Sequence, residues 1–349
     1  MLTYVIAASV VSALVQLRRR NQRKKLNIFV IGATGSIGLP FIRYCLGKGH
    51  KVIAALHRRK LPDDVSRRCV SEFGVDVTNE KSLDRVFQRH KIDVVWNLAA
   101  PLSVESENNP ERAKQITVGG MRLLLKVMRS HGVSTILFSD SIGSFGETSP
   151  RKHCKASWLV SNPTQNPGSE YGRQKRECRE LMNAFVREDP SRRDARWIVI
   201  PGVLHSQATW GDGTTEYALE AIKCAVNGVT FSCPVPLDAN LPMIYIDDLV
   251  VAMHELMCAT KDQLREPTQG YTASGFSFTA NMLFKELSTL CSDFKYEEPK
   301  SSDTPAGNFS RIWPDSISSK EMKRDIDFES KFGFTDTIRT IFRAAKLRS

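Results

Sequence analysis

The chain of 349 residues is long enough for two domains or one enlarged α/β domain, and its composition is ordinary for a globular protein. The formal net charge is +11, but residues 1–62 contain twelve Lys or Arg and no Asp or Glu, so the rest of the chain is close to neutral. Because a nucleic-acid enzyme more often spreads its cations over the folded body, this local charge argues against nucleic-acid binding. The 8 cysteines and 7 histidines show no Cys-x-x-Cys or His-Glu-x-x-His spacing. We therefore predict a reducing compartment and neither a disulfide framework nor a metal site.

The first 25 residues form a segment of their own. Residues 1–17 are uncharged, and a cluster of cations follows at once, at Arg18, Arg19, Arg20, Arg23, Lys24 and Lys25. The apolar run is near the lower length limit for a membrane-spanning helix, and its charges come after it, unlike those of a secretory signal. Three interpretations stay open: an uncleaved membrane anchor that keeps the folded part on the cytosolic side, a mitochondrial import segment, or a solvated extension.

A glycine-rich turn stands between apolar residues 28–31, which predict a strand, and residues 39–46, which predict a helix. Its members are Gly32, Ala33, Thr34, Gly35, Ser36, Ile37 and Gly38. Such a turn lets backbone N–H groups at a helix N-terminus approach a pyrophosphate, since glycines remove the Cβ atoms that would block it. A glycine turn alone also joins unrelated strands and helices, but its context here favours a dinucleotide site.

Residues 51–56 predict a second buried strand, whose end would lie beside the adenosine ribose of a dinucleotide. The acidic residue that usually binds the ribose 2′-hydroxyl is absent, and Leu56 and His57 are followed by Arg58 and Arg59. These cations suit a 2′-phosphate, with Arg58 as the main determinant, so the predicted cofactor is NAD or NADP. The alternative is a solvated basic loop.

Strands and helices continue to alternate along the chain. Residues 73–78 predict a third strand that brings Asp76 and Val77 to the adenine edge, and residues 79–90 predict a helix. Residues 93–100 predict a strand with Ser103 just beyond it. Its last residues, where the backbone must pass close to a cofactor, are Leu98, Ala99 and Ala100. This order predicts an α/β fold with a Rossmann-like, doubly wound parallel sheet.

A second motif follows the long helical pattern of residues 110–131 and the strand predicted at 135–139. Ser141 lies just after that strand, and Tyr171 and Lys175 share one face of the next predicted helix. A free tyrosine has a pKa of about 10, and one ammonium about 4 Å away supplies on the order of 4 kcal/mol, so Lys175 and a positive nicotinamide would make Tyr171 a usable base. A chance Tyr and Lys spacing is common alone, but less so beside the serine and the glycine turn.

On these motifs residues 27–330 resemble the extended short-chain dehydrogenase/reductases. Further blocks narrow the resemblance to short-chain L-threonine 3-dehydrogenases, at residues 200–203, 211–218, 241–248, 276–279 and 313–316. The resemblance implies a catalytic set of Ser141, Tyr171 and Lys175, of which Tyr171 and Lys175 also contact the cofactor. Val203 would contact the nicotinamide half. The implied substrate contacts are Ser103, Ser141, Thr214, Thr215 and Trp313. A homodimer paired through residues 110–131 and 171–187 is also implied.

The chain departs from that family at three places. Leu56 and His57 replace its acidic residue, Ile116 lies near its helical Asn, and Asp140 replaces a small residue or proline. We expect residues 26–203 to form the dinucleotide-binding core and residues 204–349 a small substrate lobe interleaved with it. Helices at 246–259 and 279–291 and a strand at 270–273 suit such a lobe. If Trp313 does not contact the substrate, it would be a core residue of this lobe.

The resemblance implies oxidation of the 3-hydroxyl of L-threonine, or of a related small amino or hydroxy acid. For L-threonine the product is 2-amino-3-oxobutanoate; Tyr171 would take the proton while hydride passes to the nicotinamide. One alternative is a nucleotide-sugar epimerase or dehydratase, which needs a larger pocket with basic groups for a diphosphate. The other is a cofactor-binding scaffold without turnover, which the changes at Ile116 and Asp140 favour slightly.

Overall fold

The structure is a computed structural model that describes residues 24–161, 166–206, 214–266, 268, 270–299 and 304–348. The β-strands in chain order are β1 (Asn27–Ile31), β2 (Lys51–Leu56), β3 (Val70–Phe73), β4 (Val94–Asn97), β5 (Thr135–Ser141), β6 (Asp194–Ile200), β7 (Gly202–Leu204), β8 (Phe231–Ser232), β9 (Asn240–Tyr245), β10 (Tyr271–Thr272), β11 (Phe276–Thr279) and β12 (Tyr296–Glu297).

The α-helices in chain order are α1 (Gly38–Gly47), α2 (Asp63–Ser66), α3 (Glu80–Arg89), α4 (Ser103–Asn108), α5 (Pro110–Lys114), α6 (Gly120–Ser130), α7 (Trp158–Ser161), α8 (Glu170–Glu188), α9 (Tyr217–Asn227), α10 (Ile246–Cys258), α11 (Ala280–Leu290), α12 (Pro305–Ile312), α13 (Lys320–Ile326) and α14 (Phe334–Lys346). Short 3₁₀ turns cover Ile142–Ser144, Thr214–Glu216 and Lys261–Gln263. None of the helices in the described part of the chain is both long enough and apolar enough to cross a membrane. The predicted anchor or targeting segment lies outside the described residues, apart from its last two.

The predicted doubly wound sheet is confirmed. Seven strands run in the order β10-β6-β5-β4-β1-β2-β3, and every neighbouring pair is parallel. The central strands are almost wholly buried apolar residues because helices cover both faces. A three-stranded sheet, β11-β9-β7, and the pair β12-β8 lie outside this sheet.

The strand order reverses between β1 and β4, which places the carboxyl ends of these two strands on either side of a crevice. Ile31 at the end of β1 accepts a backbone hydrogen bond from Leu98 N–H at 3.0 Å, just after β4. In an open α/β sheet, ligands bind at such a switch point. The glycine turn and residues 98–103 therefore meet at one edge of the sheet.

The third strand lies earlier than predicted. β3 ends at Phe73, and residues 75–78 form a turn in which Asp76 accepts hydrogen bonds from Thr78. Gly74 has φ +69°, a left-handed conformation that ends the strand. The apolar Val75 and Val77 produced the wrong prediction, because they pack inward from a turn.

The long helix predicted at 110–131 is present as a continuous helical run from residue 110 to residue 130. A π-helical turn at Gln115–Gly119 joins α5 to α6, and such turns are frequent at functional sites. Lys114 of α5 forms a 3.0 Å ion pair with Glu177 of α8. The two regions expected to pair in a dimer, residues 110–131 and 171–187, therefore contact each other within one chain. Homodimer formation through these helices stays a prediction.

The strand predicted at 270–273, which we expected in a substrate lobe interleaved with the core, lies in the main sheet. β10 pairs with β6 at the edge of the main sheet, and α10 packs against α1 beneath that sheet. The chain returns to the core after residue 245 and leaves it again after β10, because most residues of α10 are buried and its main partner is α1.

Candidate active site

The glycine turn is built for close approach of a ligand to the backbone. A Cβ atom at Gly38 would collide with the Gly32 carbonyl oxygen, and one at Gly32 would lie 2.9 Å from the backbone carbon of Leu98. Gly32 also has φ +83°. Glycines at these positions therefore let the turn fold tightly at the start of α1. Backbone N–H groups at such a turn can contact a pyrophosphate, and this fits a dinucleotide cofactor.

We call the cleft above this turn the central cleft. Its lining includes Gly32, Gly35, Ser36, Ile37, Gly38, Leu98, Ala100, Ser103, Ser141, Tyr171, Lys175, Val203, Thr214, Thr215 and Trp313. These residues were singled out from the sequence for three separate roles, and the fold brings them into one crevice. Gly211, Asp212 and Gly213, which belong to the resemblance block at 211–218, lie outside the described residues.

Helix α8 carries the tyrosine and the lysine against the end of β5. Ser169 caps the helix by accepting from Gly172 N–H at 3.0 Å. A Cβ atom at Gly172 would collide with the carbonyl oxygen of Gly143, so a glycine lets the first turn of α8 approach the turn after β5. Glu107 of α4 accepts from Tyr171 N–H at 3.1 Å, which fixes the helix start from the other side.

The ammonium of Lys175 is deeply buried and well placed. It donates to the Ser139 carbonyl at 2.8 Å and lies 5.3 Å from the centre of the Tyr171 ring. Lys175 is 2% exposed. The Ser141 hydroxyl accepts from Gly143 N–H at 3.2 Å and faces the central cleft. A tyrosine, an ammonium and a hydroxyl therefore converge as the sequence predicts.

Asp140, a departure from the family pattern, is part of a buried network. Its carboxylate accepts from Ser141 N–H at 2.8 Å and from the Ser144 hydroxyl at 2.5 Å, and it forms an ion pair with Arg179. Arg179 also donates to the Ser144 hydroxyl at 2.9 Å. Because Arg179 lies one turn after Lys175 on α8, this network joins the serine-bearing turn to the helix that carries Tyr171. Arg179 was not predicted as a site residue, because in the sequence it is an ordinary helix charge until the fold places Asp140 opposite it.

The far end of the central cleft is small and polar. The hydroxyls of Ser103 and Thr214 lie 3.3 Å apart, although α4 and the turn at Thr214–Glu216 are 111 residues apart in sequence. The Trp313 ring stacks on Phe309 and its N–H has no hydrogen-bond partner among the described residues. A Cβ atom at Gly143 would lie 3.0 Å from Tyr171 and 3.3 Å from Trp313, so the glycine lets the two rings approach.

His205 was not predicted as a site residue. It lines the central cleft, is 4% exposed, and its Nε2 has no partner among the described residues. Burial, with a smaller contribution from the charge of Arg348, lowers the pKa of His205 to about 4. The ring is therefore neutral near physiological pH. In the sequence, the one feature that could have indicated a site role for His205 is its position two residues after Val203, an expected cofactor contact.

A second crevice, the side cleft, continues from the turn toward β2 and β3. Its lining includes Thr34, Arg58, Asp76, Val77, Ala99 and Ile116. Ile116 thus faces the adenosine side of the site, with Arg112 and Gln115 beside it. Burial opposes ionisation of Asp76, but hydrogen bonds from Thr78 and the charges of His57 and Arg58 outweigh it and lower the pKa of Asp76.

Two of the predicted cofactor contacts, Ala33 and Arg58, differ in burial. Ala33 is fully buried and lines neither cleft, because its side chain points from the turn into the core. Arg59 lines the central cleft and Arg58 the side cleft, so these neighbouring cations face different parts of a bound dinucleotide. From the sequence they had been assigned one role.

A glycine turn at a Rossmann switch point, with Ser, Tyr and Lys above it, defines a dinucleotide-dependent enzyme class. The family model for the NAD dependent epimerase/dehydratase family matches residues 28–267, and the chain belongs to that family. A nicotinamide dinucleotide is accordingly its cofactor class.

Known proteins similar to this chain include L-threonine 3-dehydrogenases. The mitochondrial L-threonine 3-dehydrogenase of Bos taurus is 30% identical over 268 residues, which are 74% of this chain and 67% of that protein. A solved monomeric L-threonine 3-dehydrogenase from a metagenome is 29% identical, with a TM-score of 0.81 over 92% of this chain and 99% of that one. A GalE-like L-threonine dehydrogenase from Cupriavidus necator, in its holo form, is 25% identical, with a TM-score of 0.80 over 91% and 99% of the two chains.

Proposed function

We propose that the protein is an NAD(P)-dependent dehydrogenase that oxidises the 3-hydroxyl of L-threonine or of a closely related small 3-hydroxy acid. The observation that carries this proposal is the central cleft itself. One cleft holds the glycine cradle, the group of Ser141, Tyr171 and Lys175, and a small polar end at Ser103 and Thr214. The similarity to L-threonine dehydrogenases supports the same substrate.

In this proposal Tyr171 takes the proton of the substrate hydroxyl, and Ser141 donates a hydrogen bond to the same oxygen. Lys175 stabilises the phenolate through its fixed, buried positive charge, which the Ser139 carbonyl holds in place. A bound nicotinamide supplies the hydride acceptor, so the carbon loses a hydride as its oxygen loses a proton, and a ketone results.

The far end of the cleft suits a zwitterion more than a nucleotide sugar. Ser103, Thr214 and Thr215 offer hydroxyls, while Trp313 and His205 offer ring nitrogens without partners among the described residues. We assign these groups to the ammonium and carboxylate of the amino acid. His205 is neutral, so it accepts or donates one hydrogen bond there without adding charge.

We further propose that NADP is accepted as well as NAD. β2 ends at the buried Leu56, no carboxylate follows directly, and Arg58 lines the side cleft beside Asp76. A 2′-phosphate would gain a charge-assisted hydrogen bond from Arg58 and meet no acidic residue at the end of β2.

For residues 1–25 we propose a role in location, either import into mitochondria or attachment to a membrane that faces the cytosol. The uncharged run with cations behind it supports this role.

The proposal is tested by incubating the purified protein with NAD or NADP and following nicotinamide absorbance. The substrates are L-threonine, L-allo-threonine, L-serine, 3-hydroxybutyrate and a UDP-hexose. Reduction of the cofactor with L-threonine, with weaker rates for the other acids, is the expected result. Conversion of the UDP-hexose without net cofactor reduction identifies an epimerase, and cofactor binding without turnover on any of them identifies a scaffold.

A further inference from the structure

Within the described residues, one group of three possible metal ligands comes together, and it lies at the amino end of the sheet, away from the glycine turn. His50 directly precedes β2, while His254 and Cys258 lie one turn apart on α10. His50 and His254 are buried and Cys258 is half-buried. This group could not be predicted from residue spacing, because His50 and His254 are 204 residues apart in the sequence.

The distances within the group are those between ligands of one metal ion. The Nε2 atoms of His50 and His254 are 3.0 Å apart, and Cys258 Sγ lies 3.5 Å from the Nε2 of His254 and 4.0 Å from that of His50. A tetrahedral Zn²⁺ with its usual bond lengths separates two nitrogens by about 3.3 Å and a nitrogen from a sulfur by about 3.6 Å. All three ligand atoms thus need to move by only a few tenths of an ångström.

The surroundings of His254 match those of a zinc-bound histidine. Its Nδ1 lies 3.4 Å from a carboxylate oxygen of the buried Glu255, so the ring presents Nε2 to the cluster. Metal-binding histidines are commonly held in this way by a carboxylate on the other nitrogen.

His50 is held by a backbone N–H group, in contrast to the carboxylate beside His254. Its Nδ1 accepts from Leu26 N–H at 3.1 Å, so without a metal the ring proton is on Nε2 and is donated to His254. A metal on Nε2 would move that proton to Nδ1, and the hydrogen bond from Leu26 N–H would then be lost. Leu26 directly precedes β1, and its carbonyl accepts a 3.0 Å hydrogen bond from Lys51 N–H, which holds this part of the chain independently of His50.

We propose that His50, His254 and Cys258 bind a divalent cation of the Zn²⁺ class, with a solvent molecule as fourth ligand. Two imidazoles and a thiolate form a ligand set that favours Zn²⁺ over Mg²⁺ or Ca²⁺. Solvent reaches Cys258 through a surface crevice lined by Lys24, Leu26, Thr260 and Lys261. The site would tie β2 to α10, and because it lies at the opposite end of the sheet, it is independent of the proposed dehydrogenase activity.

The test is titration of the metal-free full chain with Co²⁺, followed by absorption. A site with tetrahedral geometry and one thiolate gives intense visible bands and a near-ultraviolet sulfur-to-cobalt charge-transfer band, saturating at one Co²⁺ per chain. We expect Cys258→Ser to lose the charge-transfer band, His254→Gln to weaken the visible bands, and the control Cys291→Ser to keep both. Zn²⁺ should abolish the Co²⁺ spectrum and raise the Tm of the wild type and of Cys291→Ser more than that of Cys258→Ser.

Weak, octahedral Co²⁺ bands, or bands that are the same in Cys258→Ser as in the wild type, would overturn the proposal. The group would then be a hydrogen-bonded histidine pair that does not bind metal. The Co²⁺ absorption spectrum does not depend on turnover. A protein that fails to oxidise L-threonine can therefore still show the metal site.

Discussion

The two ends of the central sheet bring side chains together in different ways. At the carboxyl end, the glycine turn spans seven consecutive residues and Tyr171 and Lys175 are four residues apart. At the amino end, His50 meets His254 only because α10 returns to pack beneath the sheet. Chemistry encoded within one turn of a helix or loop is visible in a sequence, whereas chemistry assembled by topology is not.

The two ends also differ in how charge is handled. At the carboxyl end the buried Arg179 forms an ion pair with the buried carboxylate of Asp140. The three side chains at the amino end are two imidazoles and a thiol, with the carboxylate of Glu255 beside His254. The carboxyl end therefore depends on ion pairing for its stability, and substitutions there are expected to have the larger effects.

Arg179→Met should produce the largest loss. The substitution leaves the Asp140 carboxylate buried without its cation, which costs about 3–5 kcal/mol in the free energy of unfolding. Arg176→Met, on the same helix but in an exposed ion pair with Glu180, should cost less than about 1 kcal/mol. Denaturant unfolding measures both.

The double variant Asp140→Ala with Arg179→Met sharpens this prediction. Removing both charges should restore much of the stability that Arg179→Met alone loses, because no charge then remains unpaired. If the two single variants and the double variant lose stability additively, Asp140 and Arg179 do not act as a buried pair.

His205 should make the protein sensitive to acid. Burial lowers its pKa from 6.5 to about 4, so the unfolded chain binds the proton more tightly than the folded one. Its contribution is fully present above pH 6.5 and is lost as the pH falls toward 4, by up to about 3 kcal/mol.

The check is the difference in unfolding free energy between the wild type and His205→Gln, measured across that pH range. The control is His153→Asn, at an exposed position with φ 54° that Asn tolerates. Parallel stability curves for wild type and His205→Gln would mean that His205 is hydrated in solution.

The preference for NADP over NAD distinguishes the roles of the two clefts at the carboxyl end, because Arg58 lines one and Arg59 the other. One charge-assisted hydrogen bond from Arg58 to a 2′-phosphate is worth about 1.5–3 kcal/mol, or roughly ten to over a hundred-fold in affinity. Arg58→Ala should therefore lower the ratio of kcat/KM for NADP over NAD by that factor. Arg59→Ala, in the central cleft, should affect both cofactors alike. A wild-type ratio well below one that Arg58→Ala leaves unchanged would make Arg58 a surface charge.

The smallest effect is expected from the N-terminal segment. Removal of residues 1–24 should leave kcat/KM unchanged, since β1 begins only at Asn27, and should change where the protein accumulates in cells. Fractionation and the absorbance assay measure the two outcomes. A truncated chain that does not fold would show that the segment belongs to the core.

Much of the fold and site follows from local patterns, and the failures have physical causes. β1, β2, β5 and the helix of Tyr171 could be predicted because apolar runs and caps are local. β3 was misplaced because Val75 and the half-buried Val77 pack inward from a turn. The strand at 270–273 was misplaced because the pairing of β10 with β6 is a long-range contact. The significance of Arg179 and of His205 depends on neighbours that only the fold provides.

The central claim is that Tyr171 transfers the proton of the substrate hydroxyl. The most direct test compares the wild type with Tyr171→Phe for reduction of the cofactor by L-threonine, with cofactor affinity measured separately by quenching of protein fluorescence. We expect turnover to fall by about 10²–10⁴-fold while the cofactor dissociation constant changes by no more than a few-fold. A Tyr171→Phe variant that keeps wild-type turnover would contradict the account.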